Sequence, residues 1–129
     1  MRPVIVLVIA LSLSAAAILA VQEPAFTRTV LQQADLSVPG REGVSALAVF
    51  QPGGVAPRHT HPGEELGYVL EGTIVLEMDG KASMTIGAGK AFVIPAGAIH
   101  SARNGGAGVT RVLATYIVEK GKPLATPAQ

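Results

Sequence analysis

Residues 53–72 read GGVAPRHTHPGEELGYVLEG. His59 and His61 stand two apart, so on a strand both imidazoles point to one face. Glu65 follows four residues after His61 and can reach the same side from the next strand segment. Gly53-Gly54 after Pro52 suit a tight turn, and Gly72 ends the apolar run Leu66–Leu70. Working outward, the only other histidine, His100, lies in residues 89–104, GKAFVIPAGAIHSARN. There Pro95-Ala96-Gly97 reads as a rigid corner that presents His100 on the following strand. Three neutral imidazoles and one carboxylate suit a divalent transition metal of intermediate softness. Such a set leaves one or two coordination positions open, as a catalytic site needs.

Around these two stretches the texture is that of an all-β chain. All 15 glycines fall between Gly40 and Gly121, with short apolar or alternating runs between them. The runs are Ser45–Gln51, Leu66–Leu70, Thr73–Asp79, Ser83–Ile86, Ala91–Ile94, His100–Arg103 and Val109–Val118. Ile74, Leu76 and Met78 share one face, and Asp79-Gly80 is expected to close a two-residue hairpin. No window beyond residue 21 carries a 3.6-residue period. Residues 21–40 form an arm punctuated by Pro24 and Pro39, in which Thr27–Leu31 suits an edge strand. The barrel is expected over residues 41–118. Residues 119–129 read as a tail, frayed over Lys122–Gln129.

The chain has 129 residues, 49% of them hydrophobic, and a mean hydropathy of +0.44. That surplus sits at one end: residues 1–21 hold 17 hydrophobic residues, and the remaining 108 hold 46. Met1-Arg2-Pro3 followed by VIVLVIALSLSAAAILAV is the pattern of a secretory signal, with cleavage expected after Ala20. An uncleaved anchor is the alternative, since an 18-residue run just suffices to span a bilayer. Either way the body is expected to be periplasmic or secreted, touching a membrane only if the leader stays. Without Arg2 the body carries nine basic and nine acidic side chains, which leaves no field for nucleic acid. The absence of cysteine excludes disulfides, thiolate metal sites and thiol nucleophiles, so a metal must be held by nitrogen and oxygen.

The spacings Gly53-x5-His59-x-His61-x3-Glu65-x6-Gly72 and Gly89-x5-Pro95-x-Gly97-x2-His100-x3-Asn104, separated by 16 residues, resemble the two motifs of the cupin family. The resemblance covers about Gly43–Val118, and more closely the small single-domain, RmlC-like members. It implies a double-stranded β-helix, the jelly-roll barrel. It also implies that His59, His61, Glu65 and His100 ligate one divalent ion per chain, with Fe, Mn, Ni, Cu and Zn not distinguished. Gly53, Gly72, Gly89, Pro95 and Gly97 then hold the site without taking part in chemistry. Glu64 competes with Glu65 for the carboxylate position, but strand alternation and the family spacing favour Glu65.

Glu64, Asn104 and Tyr116 are candidates for the surroundings of the metal. Phe50, Arg58, Met78, Phe92, Ile94 and Arg103 are further pocket candidates among which alternation alone cannot choose. No catalytic residue is assigned. With Glu65 inside, Leu66, Tyr68 and Leu70 face outward and need a cover, from the arm or from a second copy in a homodimer. Two functions fit: a metal-dependent enzyme of dioxygenase, isomerase or lyase type on a small organic molecule, or a non-catalytic module binding a metal or small ligand.

Overall fold

The structure is a computed structural model and describes residues 22–129; the leader expected at residues 1–20 lies outside them. Ten strands follow in order: β1 (Phe26–Asp35), β2 (Arg41–Phe50), β3 (Val55–Thr60), β4 (Gly63–Glu71), β5 (Thr73–Met78), β6 (Met84–Gly87), β7 (Ala91–Ile94), β8 (His100–Asn104), β9 (Thr110–Glu119) and β10 (Thr126–Pro127). No helix occurs among the described residues. The strands form two five-stranded antiparallel sheets, ordered β1-β2-β9-β4-β7 and β10-β3-β8-β5-β6. The two sheets face each other as an all-β jelly roll, as the two motifs imply.

Alternation sets the inner faces. In β2 every second residue (Glu42, Val44, Ala46, Ala48, Phe50) is buried, and in β9 Thr110, Val112, Ala114, Tyr116 and Val118 are. Ile74, Leu76 and Met78 face them from β5, as expected. Burying each large aliphatic side chain contributes about 1.5–3 kcal/mol. Alanines at 46, 48, 56, 102 and 114 keep the interior from filling completely. Gly67 serves the opposite need. A Cβ there would stand 2.1 Å from the Phe92 ring, so only glycine lets that ring close the barrel across β4. Gly53, Gly72, Gly89 and Gly97 all have φ between 70° and 81°, which gives the motif glycines their conformational reason.

Three expectations change. The arm is a full strand: β1 pairs with β2 from Phe26↔Phe50 to Asp35↔Glu42, with a register shift between Val30 and Gln32. The tail is not frayed, because Thr126 and Pro127 pair with Thr60 and His59 of β3. Asp79-Gly80 does turn, with Lys81 N–H donating to the Met78 carbonyl, but β5 and β6 pair only from Leu76↔Met84. The connection is therefore longer than a two-residue hairpin. Because β1 extends the edge of its sheet, it does not cover the outer face of β4, where Leu66, Tyr68 and Leu70 stand exposed beside Val93 and Ile117.

Candidate metal centre

One sheet supplies the histidines and the other the carboxylate. His59 on β3 is paired in register with His100 on β8, and their ring centroids lie 4.2 Å apart. His61 follows the end of β3, where its carbonyl accepts a hydrogen bond from Gly97 N–H. This contact ties the Pro95–Gly97 corner to the first motif. Glu65 projects inward from β4, opposite Tyr116 of β9 and Ile94 of β7. All three histidines and Glu65 are buried.

The backbone decides which nitrogen each imidazole presents. Nδ1 of His59 lies 2.6 Å from the Pro57 carbonyl, Nδ1 of His61 2.6 Å from that of Leu124, and Nδ1 of His100 2.9 Å from that of Ala98. Two acceptors do not approach so closely, so each Nδ1 carries hydrogen and donates it. Every neutral ring then turns a bare Nε2 lone pair inward. One ligating nitrogen from each of the three rings falls within a common 4.8 Å. His59 Nε2 stands 3.1 Å from His61 Nε2, and Glu65 Oε2 stands 3.0 Å from His61 Nε2 and 3.5 Å from His100 Nε2. Adjacent ligands on bonds of about 2.1 Å are separated by ~3.0 Å at right angles and ~3.4 Å in a tetrahedron. Acceptors facing one another at these distances need positive charge between them, and the donor set fits a divalent ion. Three buried histidines can therefore bind one metal.

The electrostatics agree. Burial lowers His59 to about 4, against the hydrogen bond to Pro57, with the charges of His100, His61 and Arg28 adding to the effect. His59 is thus neutral and able to ligate at physiological pH. Burial would raise Glu65, but hydrogen bonding from His100 and His61 outweighs it and holds the carboxyl at about 2. Those bonds need protons on the two Nε2 atoms, and a cation in the same place keeps the carboxylate ionised equally well. Burial, then the Glu65 carboxylate, push the Tyr116 hydroxyl above the usual phenol range. Tyr116 is therefore a proton holder, and its ring packs 4.7 Å from that of His61.

A cavity of about 20 Å³ adjoins the site, bounded by Phe50, Phe92, Ile94 and Tyr116 among others, as those pocket candidates require. The remaining candidates fall elsewhere. Glu64 points out of the barrel and is exposed, which removes it from the pocket. Asn104 lies at the far end of β8 and lines no part of the cavity; its side chain bonds the carbonyls of Phe50, Gln51 and Gly108. Met78 is core, and Arg103 is exposed. Arg58 borders an outer cleft, but its guanidinium is held by Asp79 at 2.7 and 2.8 Å. Glu71 and Glu77 are exposed, so neither is a base for the cavity. Sequence reading missed Arg28 of β1, whose Nη2 lies 3.3 Å from His59 Nε2, and the carbonyl of Leu124. Both arrive through long-range strand pairing, for which no local signal exists.

Residues 46–116 match the protein family described as the cupin domain. The chain belongs to the cupin family. Among curated proteins this cupin is 33% identical over 111 residues to the HTH-type transcriptional regulator PuuR of Escherichia coli (strain K12), covering 74% of the chain and 60% of the regulator. It is 38% identical over 80 residues to Germin-like protein 1-1 of Oryza sativa subsp. japonica, covering 57% of the chain and 37% of that protein. The cupin thus spans 60% and 37% of the length of these two relatives. An oxalate oxidase in complex with the substrate analogue glycolate superposes with a TM-score of 0.65 at 24% identity, over 81% of this chain and 56% of that one, a likeness of fold.

Proposed function

We propose that this cupin is an extracytoplasmic metal-dependent enzyme acting on a small organic molecule, with residues 1–20 as its signal peptide. The observation that carries the reading is the convergence of three backbone-oriented Nε2 lone pairs and the Glu65 carboxylate on one buried point. His59, His61, His100 and Glu65 would hold the ion. When bound, it would supply Lewis-acid or redox activation of a small molecule at its open positions. The apolar walls from Phe50, Phe92 and Ile94 exclude water, and Tyr116 keeps its proton and offers a hydrogen bond. A non-catalytic ligand-binding module is the second reading. The likeness to a transcriptional regulator favours it.

Purified mature protein is expected to carry about one divalent ion per chain. Elemental analysis showing no transition metal, even after incubation with Fe, Mn, Ni, Cu and Zn salts, overturns the site. Oxygen uptake by the loaded protein with phenolic and keto-acid compounds separates enzyme from binding module. The exposed row Leu66, Tyr68, Leu70, Val93 and Ile117 supports a homodimer through that sheet face. A monomer mass in light scattering at micromolar concentration overturns that assembly.

A further inference from the structure

Arg28 enters the barrel from the inner face of β1, opposite Ala48, and both line the inner cavity. Its guanidinium carbon lies 5.5 Å from the Phe26 ring centroid and 5.8 Å from that of Tyr116. Phe26 is itself packed on Phe50 at 4.8 Å, so the arm is anchored where Arg28 leaves it. Among the described residues the ion pairs of arginine and lysine are Arg58–Asp79, Arg111–Glu71, Lys120–Asp35 and Lys122–Glu119. Among these residues no acid answers Arg28, whose Nη2 has only His59 Nε2, at 3.3 Å. Its Nε is the one buried side-chain nitrogen or oxygen in the described residues without a hydrogen-bond partner. A charged, buried donor left unmade costs more than a neutral one, and such a group calls for a missing acceptor.

The surroundings say what that acceptor is. Arg28 borders both the 20 Å³ cavity beside the histidines and the outer cleft of about 180 Å³. Phe26, Ala56, Pro57, Ala125 and Pro127 give that cleft largely apolar walls. Among the described residues Glu65 is the only carboxylate lining the inner cavity, against Arg28 and the two charges of a divalent ion, so the loaded site has an excess of about two positive charges in apolar surroundings. A planar guanidinium donates two parallel hydrogen bonds to a carboxylate, which a point-charge ammonium cannot do.

We propose that Arg28 is the specificity-determining anchor for a small carboxylate ligand, holding its anionic end beside the histidine cluster while a short apolar remainder lies in the outer cleft. The inference rests on the metal-dependent reading above. It differs from the sequence-based candidate Arg58, whose guanidinium Asp79 already occupies.

The test uses Co(II)-loaded protein, wild type, Arg28→Gln and Arg28→Lys, titrated with acetate and with its neutral isostere acetamide. Visible spectra and calorimetry report binding. Wild type is expected to favour acetate over acetamide by at least about tenfold. Arg28→Gln is expected to lose about 10- to 100-fold in acetate affinity, with Co(II) affinity kept within about threefold, and Arg28→Lys to retain part of the preference. Equal affinity of wild type for acetate and acetamide overturns the anchor, a comparison that needs no variant to fold. Undiminished acetate binding by Arg28→Gln also overturns it, since the anion would then be held by the metal alone. A wild-type chain that takes no Co(II) overturns the metal reading itself, and with it this inference.

Discussion

The two ends of β8 each carry a buried polar residue, and they are built on opposite rules. Asn104, at the C-terminal end, is saturated: Nδ2 donates to the carbonyls of Phe50, Gln51 and Gly108, and Oδ1 accepts from Gly106 N–H and the Thr110 hydroxyl. Thr110 Oγ1 in turn accepts from Thr73 N–H. His100, about 13 Å away along the same strand, belongs to a cluster whose outward-facing nitrogens are satisfied while the inward-facing ones confront other acceptors. A polar network that closes on itself holds the fold together. One that leaves acceptors facing one another and the Nε of an arginine without a partner is a receptacle.

The largest separation between the two ends should appear on removing one residue from the receptacle. His61→Ala is expected to lower metal affinity by about 1,000-fold or more, because one of few ligands is lost. The metal-free protein should fold nearly as before, since the substitution also removes a pair of facing acceptors. Titration with a divalent ion checks the first point and a thermal melt the second. Glu64→Ala, on the outer face, should leave metal binding intact; loss of metal in Glu64→Ala but not in Glu65→Ala would reverse the carboxylate assignment.

Acid should find only one of the two ends. His59 titrates at about 4 in the folded chain and near 6.5 when free, so between those values the unfolded state binds the extra proton. Stability of the metal-free protein should therefore fall steadily as pH drops from 6.5 toward 4. Where a cation or protons stand on the facing Nε2 atoms, Glu65 is held at about 2 and contributes stability that is present above its free value of 4.5 and lost as pH falls toward 2. Denaturant midpoints measured between pH 7 and 4 check this. A flat profile down to pH 4 would mean that His59 is not buried neutral. Asn104 has no titratable group. Asn104→Ala should cost about 2–3 kcal/mol at every pH, because it strands buried carbonyls, while leaving metal stoichiometry unchanged.

How much of each end shows in the sequence follows from the range of the contacts. The histidine spacing, the inward parity of Glu65 and the motif glycines are local, since alternation places the first two and a positive φ the third. Asn104 is legible as the last residue of the second motif, but its place in the sequence suggests the surroundings of the metal and not its bonds to the Phe50 and Gln51 carbonyls. Arg28 was invisible. On an edge strand with a register shift and mostly exposed residues, alternation does not say which face points inward. The tail departs from its expected frayed end for a related reason: its short, proline-rich composition suits a free end, and its work comes from long-range contacts, the pairing of β10 with β3 and the Leu124 carbonyl on His61.

That contact supplies the smallest effect, and the one that tests whether the receptacle depends on backbone orientation. The Leu124 carbonyl is the acceptor that keeps hydrogen on His61 Nδ1 and so the lone pair on Nε2. The Leu124 side chain also packs on the cluster of Val44, Ala46, Ala114, Tyr116 and Val118, and β10 pairs with β3 just beyond it. Ending the chain after Lys122 removes the acceptor, whereas ending it after Pro127 keeps it. The first truncation is expected to weaken metal binding about tenfold, the low end of what loss of a ligand's outer hydrogen bond costs, and the second to leave it unchanged. Because His61 can then reach either tautomer, the loss should be accompanied by a shift in its ring nitrogen resonances in nitrogen NMR. Equal metal affinity in both truncations would mean that β3 and Gly97 alone orient the ring, and that the tail serves only to cover the edge of its sheet.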